Sequence, residues 1–186
     1  MVNMLKILGL AIVILIIFVI VMKLKFKQLF IFRSAKPLHE ESKWLELITT
    51  TLVIVMAFAH YWINEPEASI VMWLGAVIFM GGWILQFFAR KQLGAFITLD
   101  QKLQTGFTFD GMYKKIRHPS KTGLIVILLG LCLALGSWWA LGILIVFFIP
   151  SLIYKIIQEE QTLIDKYDKD WQAYSNDTNR LIPGVY

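Results

Sequence analysis

A disulfide framework and a cysteine-based metal site are both excluded for this chain, whose 186 residues include one cysteine, Cys132, set inside an apolar run. A cysteine so placed packs as a small hydrophobe against lipid or core. The three histidines, His39, His60 and His118, are too scattered for a metal cluster, so no metal is expected. His60, near the far end of an apolar run, reads as a structural hydrogen-bonding residue. There is no Walker loop, no GxGxxG and no Gly-x-Ser-x-Gly, which removes the common phosphate-cradling and serine-nucleophile classes. Charge is scarce as well, and it leans one way, with 18 Lys and Arg against 13 Asp and Glu. In a soluble chain that excess would point to nucleic acid. Here the basic residues flank apolar segments, so membrane orientation accounts for them and no nucleic-acid partner is expected.

What the chain has in abundance is apolar surface. Hydrophobic residues make up 58% of it, whereas a soluble domain is closer to half apolar. The excess falls in runs approaching the roughly 20 residues that a bilayer crossing takes. The expected fold class is therefore an all-α integral membrane protein of about five transmembrane helices. Residues 4–22 form the first apolar run. The basic KLKFK that follows it marks a retained anchor rather than a cleavable signal, whose charges precede the apolar region. Residues 44–63 and 69–89 are the second and third spans, joined by the short acidic NEPEAS. Within the third, Gly75, Gly81 and Gly82 lower helix propensity but permit close approach of a neighbouring backbone. Residues 122–135 and 138–154 form a helical hairpin about Gly136-Ser137, its first arm short and its tip marked by Trp138 and Trp139.

Counting basic residues orients this arrangement. The loop over 23–43 holds six Lys or Arg, the loop over 90–121 holds seven and the tail holds four, leaving only Lys6 on the other side. The positive-inside rule then places the N-terminus outside and the C-terminus in the cytoplasm. Small size and the lack of retrieval signals favour a bacterial inner membrane. The sequon at Asn176-Asp177-Thr178 falls on the cytoplasmic side and reads as chance. The loop over 90–121, about thirty residues long, is of a length that is usually functional. In the tail, Leu163, Ile164, Tyr167, Trp171 and Tyr174 recur at three- and four-residue spacing opposite Asp165, Lys166, Asp168, Lys169 and Asp170. That is an amphipathic helix, lying on the membrane surface or capping the loop.

Two stretches carry chemistry. GMYKKIRHPSKTG (residues 111–123) sets a titratable ring, His118, before a proline that starts a membrane helix. Adjacent carboxylates, Glu159 and Glu160, follow the last apolar run directly. They read either as a solvated helix end or as a cation site beneath the 90–121 loop.

Taken together, GMYKKIRHP, the apolar hairpin, EEQTLIDKYDKDWQAY and RLIP resemble the isoprenylcysteine carboxyl methyltransferase family, and are similar to the phospholipid N-methyltransferases that share its C-terminal half. The resemblance spans about residues 90–186, and divides the chain into N-terminal helices (1–89) and a cofactor-binding region (90–186). It implies S-adenosylmethionine in a cytoplasm-facing pocket, with a lipophilic or lipidated acceptor entering sideways from the membrane lipids. Thr105, Gly106, Phe107, Thr108, Tyr113, His118, Pro119, Ser120, Lys121 and Gly123 would then line the cofactor site, with Glu159 and Glu160 as its acidic side. Lys155 or Arg180 would hold the acceptor's carboxylate, which is ionised at neutral pH and needs no general base. Two positions depart from the family pattern: Lys121 stands in place of a tyrosine, and Lys155 in place of an arginine, losing the bidentate fork. Sterol reductases that use a nicotinamide cofactor share part of this layout. A non-catalytic protein retaining the scaffold is the third alternative.

Overall fold

The computed structural model describes the backbone over residues 39–103 and 111–184, with side chains over 41–93 and 111–184. The expected first span and the 105–108 stretch lie outside the described residues. The rest is helical: α1 (His39–Asn64), α2 (Ile70–Leu103), a 3-10 turn (Gly111–Lys114), α3 (Pro119–Ala134), α4 (Trp138–Ile143), a π-helical turn (Leu144–Phe148) and α5 (Ile149–Asp177). No strand forms among the described residues, where the only extended pairing is a parallel bridge between Ile116 and Asn179. Three stretches, Glu41–Asn64, Ile70–Leu93 and the continuous Trp138–Asp177, are long and apolar enough to cross a membrane, and Pro119–Ala134 is a shorter apolar helix. The protein is an all-α integral membrane protein.

The exposed faces fit that environment. Trp73, Val77, Met80, Trp83, Phe87 and their neighbours on α2 are mostly uncovered. So much apolar surface on one helix belongs in lipid rather than water. On α1 the usual pattern is partly inverted. Ser42, Glu46, Thr49 and Thr50 are buried, while Trp44, Leu45, Ile48 and Leu52 are exposed. Positions 42, 46, 49, 50, 53 and 57 share one helical face. That face is polar for two turns and then becomes apolar at Val53 and Ala57, which enter the core with Leu128, Cys132, Ala140, Leu144, Phe148, Leu152 and Ile156. Cys132 is thus a core residue.

Helices α2 and α3 run antiparallel with their backbones nearly touching. A Cβ on Gly75 would lie 2.3 Å from the Ala134 nitrogen, one on Gly130 would lie 2.3 Å from that of Phe79, and one on Gly82 would lie 2.6 Å from that of Ile127. Only glycine permits this approach, the small-residue packing available where no hydrophobic drive exists between helices. Gly81 takes no part, since a Cβ there meets nothing within 4 Å. About 100° round the helix from the buried Gly82, it points away from α3.

Two expected boundaries move. The loop expected from residue 90 is helical to Leu103, because α2 continues through Arg90-Lys91 into a proline-free segment of good helix formers. The last span and the amphipathic tail are one continuous rod from Trp138, broken only at Asp168, whose φ is 38° and ψ is −107°. Positive φ is uncommon for a residue with a side chain, and it redirects the chain there. The π-helical turn precedes Pro150, which has no N–H to give the helical ladder.

At one end of the bundle, α1 and α2 meet the hairpin tip: Gly136, at φ +62°, sits beside Pro66, and the Ser137 hydroxyl accepts a hydrogen bond from the Ala140 N–H. Nearby, Asn64 Nδ2 is 3.1 Å from His60 Nδ1, the structural pairing expected of that histidine. The opposite end gathers the start of α1, the middle of α2, the start of α3 and the middle of α5. The ionisable groups collect there.

Candidate active site

Two short local structures build this end. The 3-10 turn brings Tyr113 under α2, where its hydroxyl donates to the Ala89 carbonyl at 3.2 Å and burial pushes the phenol up to about 12. Beyond it, residues 115–118 pair with 179–180 as a two-residue ribbon. The Arg117 N–H donates to the Asn179 carbonyl (2.7 Å), the His118 N–H to that of Arg180 (3.0 Å) and the Asn179 N–H to that of Lys115 (3.1 Å). His118 then caps α3 by its position, its carbonyl accepting from the Lys121 and Thr122 N–H groups, and Pro119 supplies the first helical residue. The amphipathic end of α5 closes over this ribbon. Trp171 is buried, and the Tyr174 hydroxyl donates to the Tyr113 carbonyl at 2.7 Å. The last turns of the expected amphipathic helix thus pack on the 111–118 part of the loop, while Ile164 stays exposed.

Glu159 and Glu160 occupy successive positions on α5 and so face different neighbours. Glu160 Oε1 accepts from Arg117 Nη1 (2.9 Å) and lies 3.3 Å from His118 Nε2, while Oε2 accepts from Arg180 Nε (3.0 Å). Burial alone would raise this carboxyl's proton affinity, yet the arrangement is one of charge-assisted hydrogen bonds to an anion. Two guanidiniums share the one carboxylate.

Glu159 faces the other way. Lys121 Nζ is 3.3 Å and Lys155 Nζ 3.7 Å from its Oε1, and its Oε2 is 4.0 Å from His118 Nδ1. Both ammoniums also reach Glu46 Oε2: Lys121 at 3.8 Å, and Lys155 through a direct hydrogen bond. Carboxylates and ammoniums alternate around a ring of four. Glu46, 3% exposed, is the member not expected from the sequence. Its signal was available, since it is a carboxylate inside an apolar run and in phase with the buried positions 42, 49, 50, 53 and 57.

The chain as a whole matches no curated protein and no solved structure. Residues 70–170 match the family model of phospholipid methyltransferases. The chain belongs to the phospholipid methyltransferase family. The match takes in α2, the ribbon, α3 and most of α5, hence His118, Lys121, Lys155, Glu159 and Glu160. It leaves out α1 with Glu46 and the terminal segment with Arg180.

Of the expected site residues, His118, Lys121, Lys155, Glu159, Glu160 and Arg180 converge. Pro119 is buried at the head of α3 beside them, and Ser120 follows it, half-buried. Tyr113 lies one shell away, turned toward α2. Gly123 is at the helix–helix contact, where a Cβ would meet Gln86 at 2.9 Å. Among the described residues, no group of three or more His, Cys, Asp or Glu is placed to hold a metal.

Proposed function

We propose that this membrane methyltransferase uses S-adenosylmethionine and methylates a lipophilic acceptor bearing an anionic group, of which the carboxylate of a prenylated cysteine is the best example. The observation that carries the cofactor assignment is the seat made by Glu159 and His118. Glu159 already binds two alkylammonium groups, the same chemistry as the amino-acid end of the cofactor. A cation there is complemented by a partly desolvated carboxylate, with the His118 ring beside it. When bound, the cofactor supplies an electrophilic methyl carbon on a sulfonium. Pro119, Ser120 and the 105–108 stretch belong to the same proposed lining, while Tyr113 and Gly123 support it from the α2 side.

For the acceptor, Arg180 is the better anion holder of the two residues expected. Its side chain is 32% exposed, and its guanidinium stands with that of Arg117 on Glu160 at the edge of the protein, where an incoming anion can reach it. Lys155 is buried in the ring and instead holds Glu159 in place. An ionised carboxylate oxygen attacks without surrendering a proton, so alignment and exclusion of water are what these residues contribute. The family match favours a second reading, in which the anion is the phosphate of a phospholipid and its amine receives the methyl group. The site would face the cytoplasm, where the basic residues of both loops and the tail collect.

Calorimetry with S-adenosylhomocysteine on the detergent-purified chain tests the cofactor. Saturable binding, with none of a reduced nicotinamide, is the expected result. Nicotinamide binding instead would move the protein to the reductase class, and binding of neither would favour a non-catalytic scaffold. Methyl transfer to a prenylated cysteine or to phosphatidylethanolamine vesicles then separates the two acceptors.

A further inference from the structure

Lys121 stands where the resembling family carries a tyrosine, and its ammonium rests on the carboxylate assigned above to the cofactor's cationic end. We propose that Lys121 is a specificity-determining residue: a resident cation on Glu159 that an incoming ammonium displaces, with Glu46 as the second carboxylate that receives it. The inference rests on the cofactor reading.

Capacity is the first reason. Both lysines approach one oxygen of Glu159, at 3.3 and 3.7 Å, and the other oxygen faces His118. A further ammonium on this carboxylate would crowd a third positive charge into a space of low dielectric, where repulsion is strong. One lysine therefore leaves as the ligand enters.

Geometry selects which. Lys155 shares α5 with Glu159 and is hydrogen-bonded to Glu46, so both of its contacts hold it where it is. Lys121 comes from the first turn of α3 on a flexible four-carbon stem, with a more exposed side chain (16% against 10%). Its ammonium is already 3.8 Å from Glu46 Oε2. A small swing toward Glu46 frees Glu159 without leaving a buried ammonium unpaired, the outcome that would otherwise make the exchange unfavourable. The receiving carboxylate belongs to α1, outside the region matched to the family. Lysine at 121 and glutamate at 46 thus form one device, and a tyrosine at 121, being uncharged, would not compete.

The test is the affinity of the full-length, detergent-purified chain for S-adenosylhomocysteine, measured by calorimetry for wild type, Lys121→Met, Lys121→Tyr, Glu46→Gln and the Glu46→Gln/Lys121→Met double variant. Removing the resident cation should tighten binding about tenfold in either Lys121 variant, and Glu46→Gln should weaken it by a similar factor. The Glu46→Gln loss should shrink when Lys121 is already methionine. Unchanged or weaker binding in a Lys121 variant that elutes as a single folded species overturns the proposal. An equal Glu46→Gln loss in both backgrounds assigns Glu46 to Lys155 alone and overturns the hand-over. No binding by wild type strikes the cofactor reading itself, a result distinct from either.

Discussion

Two clusters of charge sit side by side at one end of the bundle, built on neighbouring residues of α5, and they are wired differently. Around Glu159 the charges alternate: Glu46, Lys121 and Lys155 complete a ring of four, with Lys155 and Glu46 nearly out of solvent. Around Glu160 the cations are guanidiniums: Arg117 and Arg180 converge on one carboxylate with His118 alongside, and Arg180 reaches the edge of the protein. The difference follows from what each cluster contacts. A buried group of charges is tolerated when every member is paired, as in the inner cluster. The outer one borders the surface, where a charged group is also hydrated. On the proposed function, one exchanges a cation for a cation and the other accepts an anion. His118 touches both and is the link between them.

The largest effect should come from unbalancing the outer cluster. Glu160→Gln leaves Arg117 and Arg180 facing each other and loosens the ribbon between 115–118 and 179–180, for an expected loss of about 3 kcal/mol in unfolding stability. Chemical denaturation in detergent measures it, and a loss below 1 kcal/mol would mean that the ribbon's backbone hydrogen bonds hold the segment alone. In the inner cluster, Glu159→Ala should weaken S-adenosylhomocysteine binding by about 100-fold while the protein still inserts and purifies. Retained affinity would take Glu159 out of the cofactor seat. Arg180→Ala should raise KM for an anionic acceptor about tenfold and leave S-adenosylhomocysteine affinity within twofold. If both parameters moved together, the two clusters would be one site rather than two. Smallest is Tyr174→Phe, which removes one hydrogen bond to the Tyr113 carbonyl and should cost about 1 kcal/mol of stability without altering either binding constant.

Much of this was legible along the chain because it depends on local pattern. Apolar runs of bilayer length mark helices wherever the chain later places them, and Pro119 starts α3 for a reason contained in its own ring. His118 and the Glu159-Glu160 pair stood out as ionisable groups bordering such runs. Where the reading stopped short, the cause was non-local or cumulative. The end of α2 was placed at residue 89 because Arg90 and Lys91 end its apolar character, but backbone hydrogen bonding continues through charged residues to Leu103. Gly81 and Gly82 were equivalent in sequence, yet only Gly82 points at Ile127. Glu46 was passed over as one carboxylate among the residues of an apolar span.

By itself, then, the amino-acid sequence determined the class of the protein, its helical construction and the residue types available for chemistry. Those follow from composition, periodicity and the covalent constraint of proline, which act over a few residues. The wiring of charge was decided only by the tertiary structure. Glu46 lies 109 residues from the Lys155 it binds, and no pattern in the chain specifies which of two adjacent glutamates takes the lysines and which the arginines. Helix phase and packing decide that, because they set the few ångströms over which an ion pair in a water-poor interior is strong.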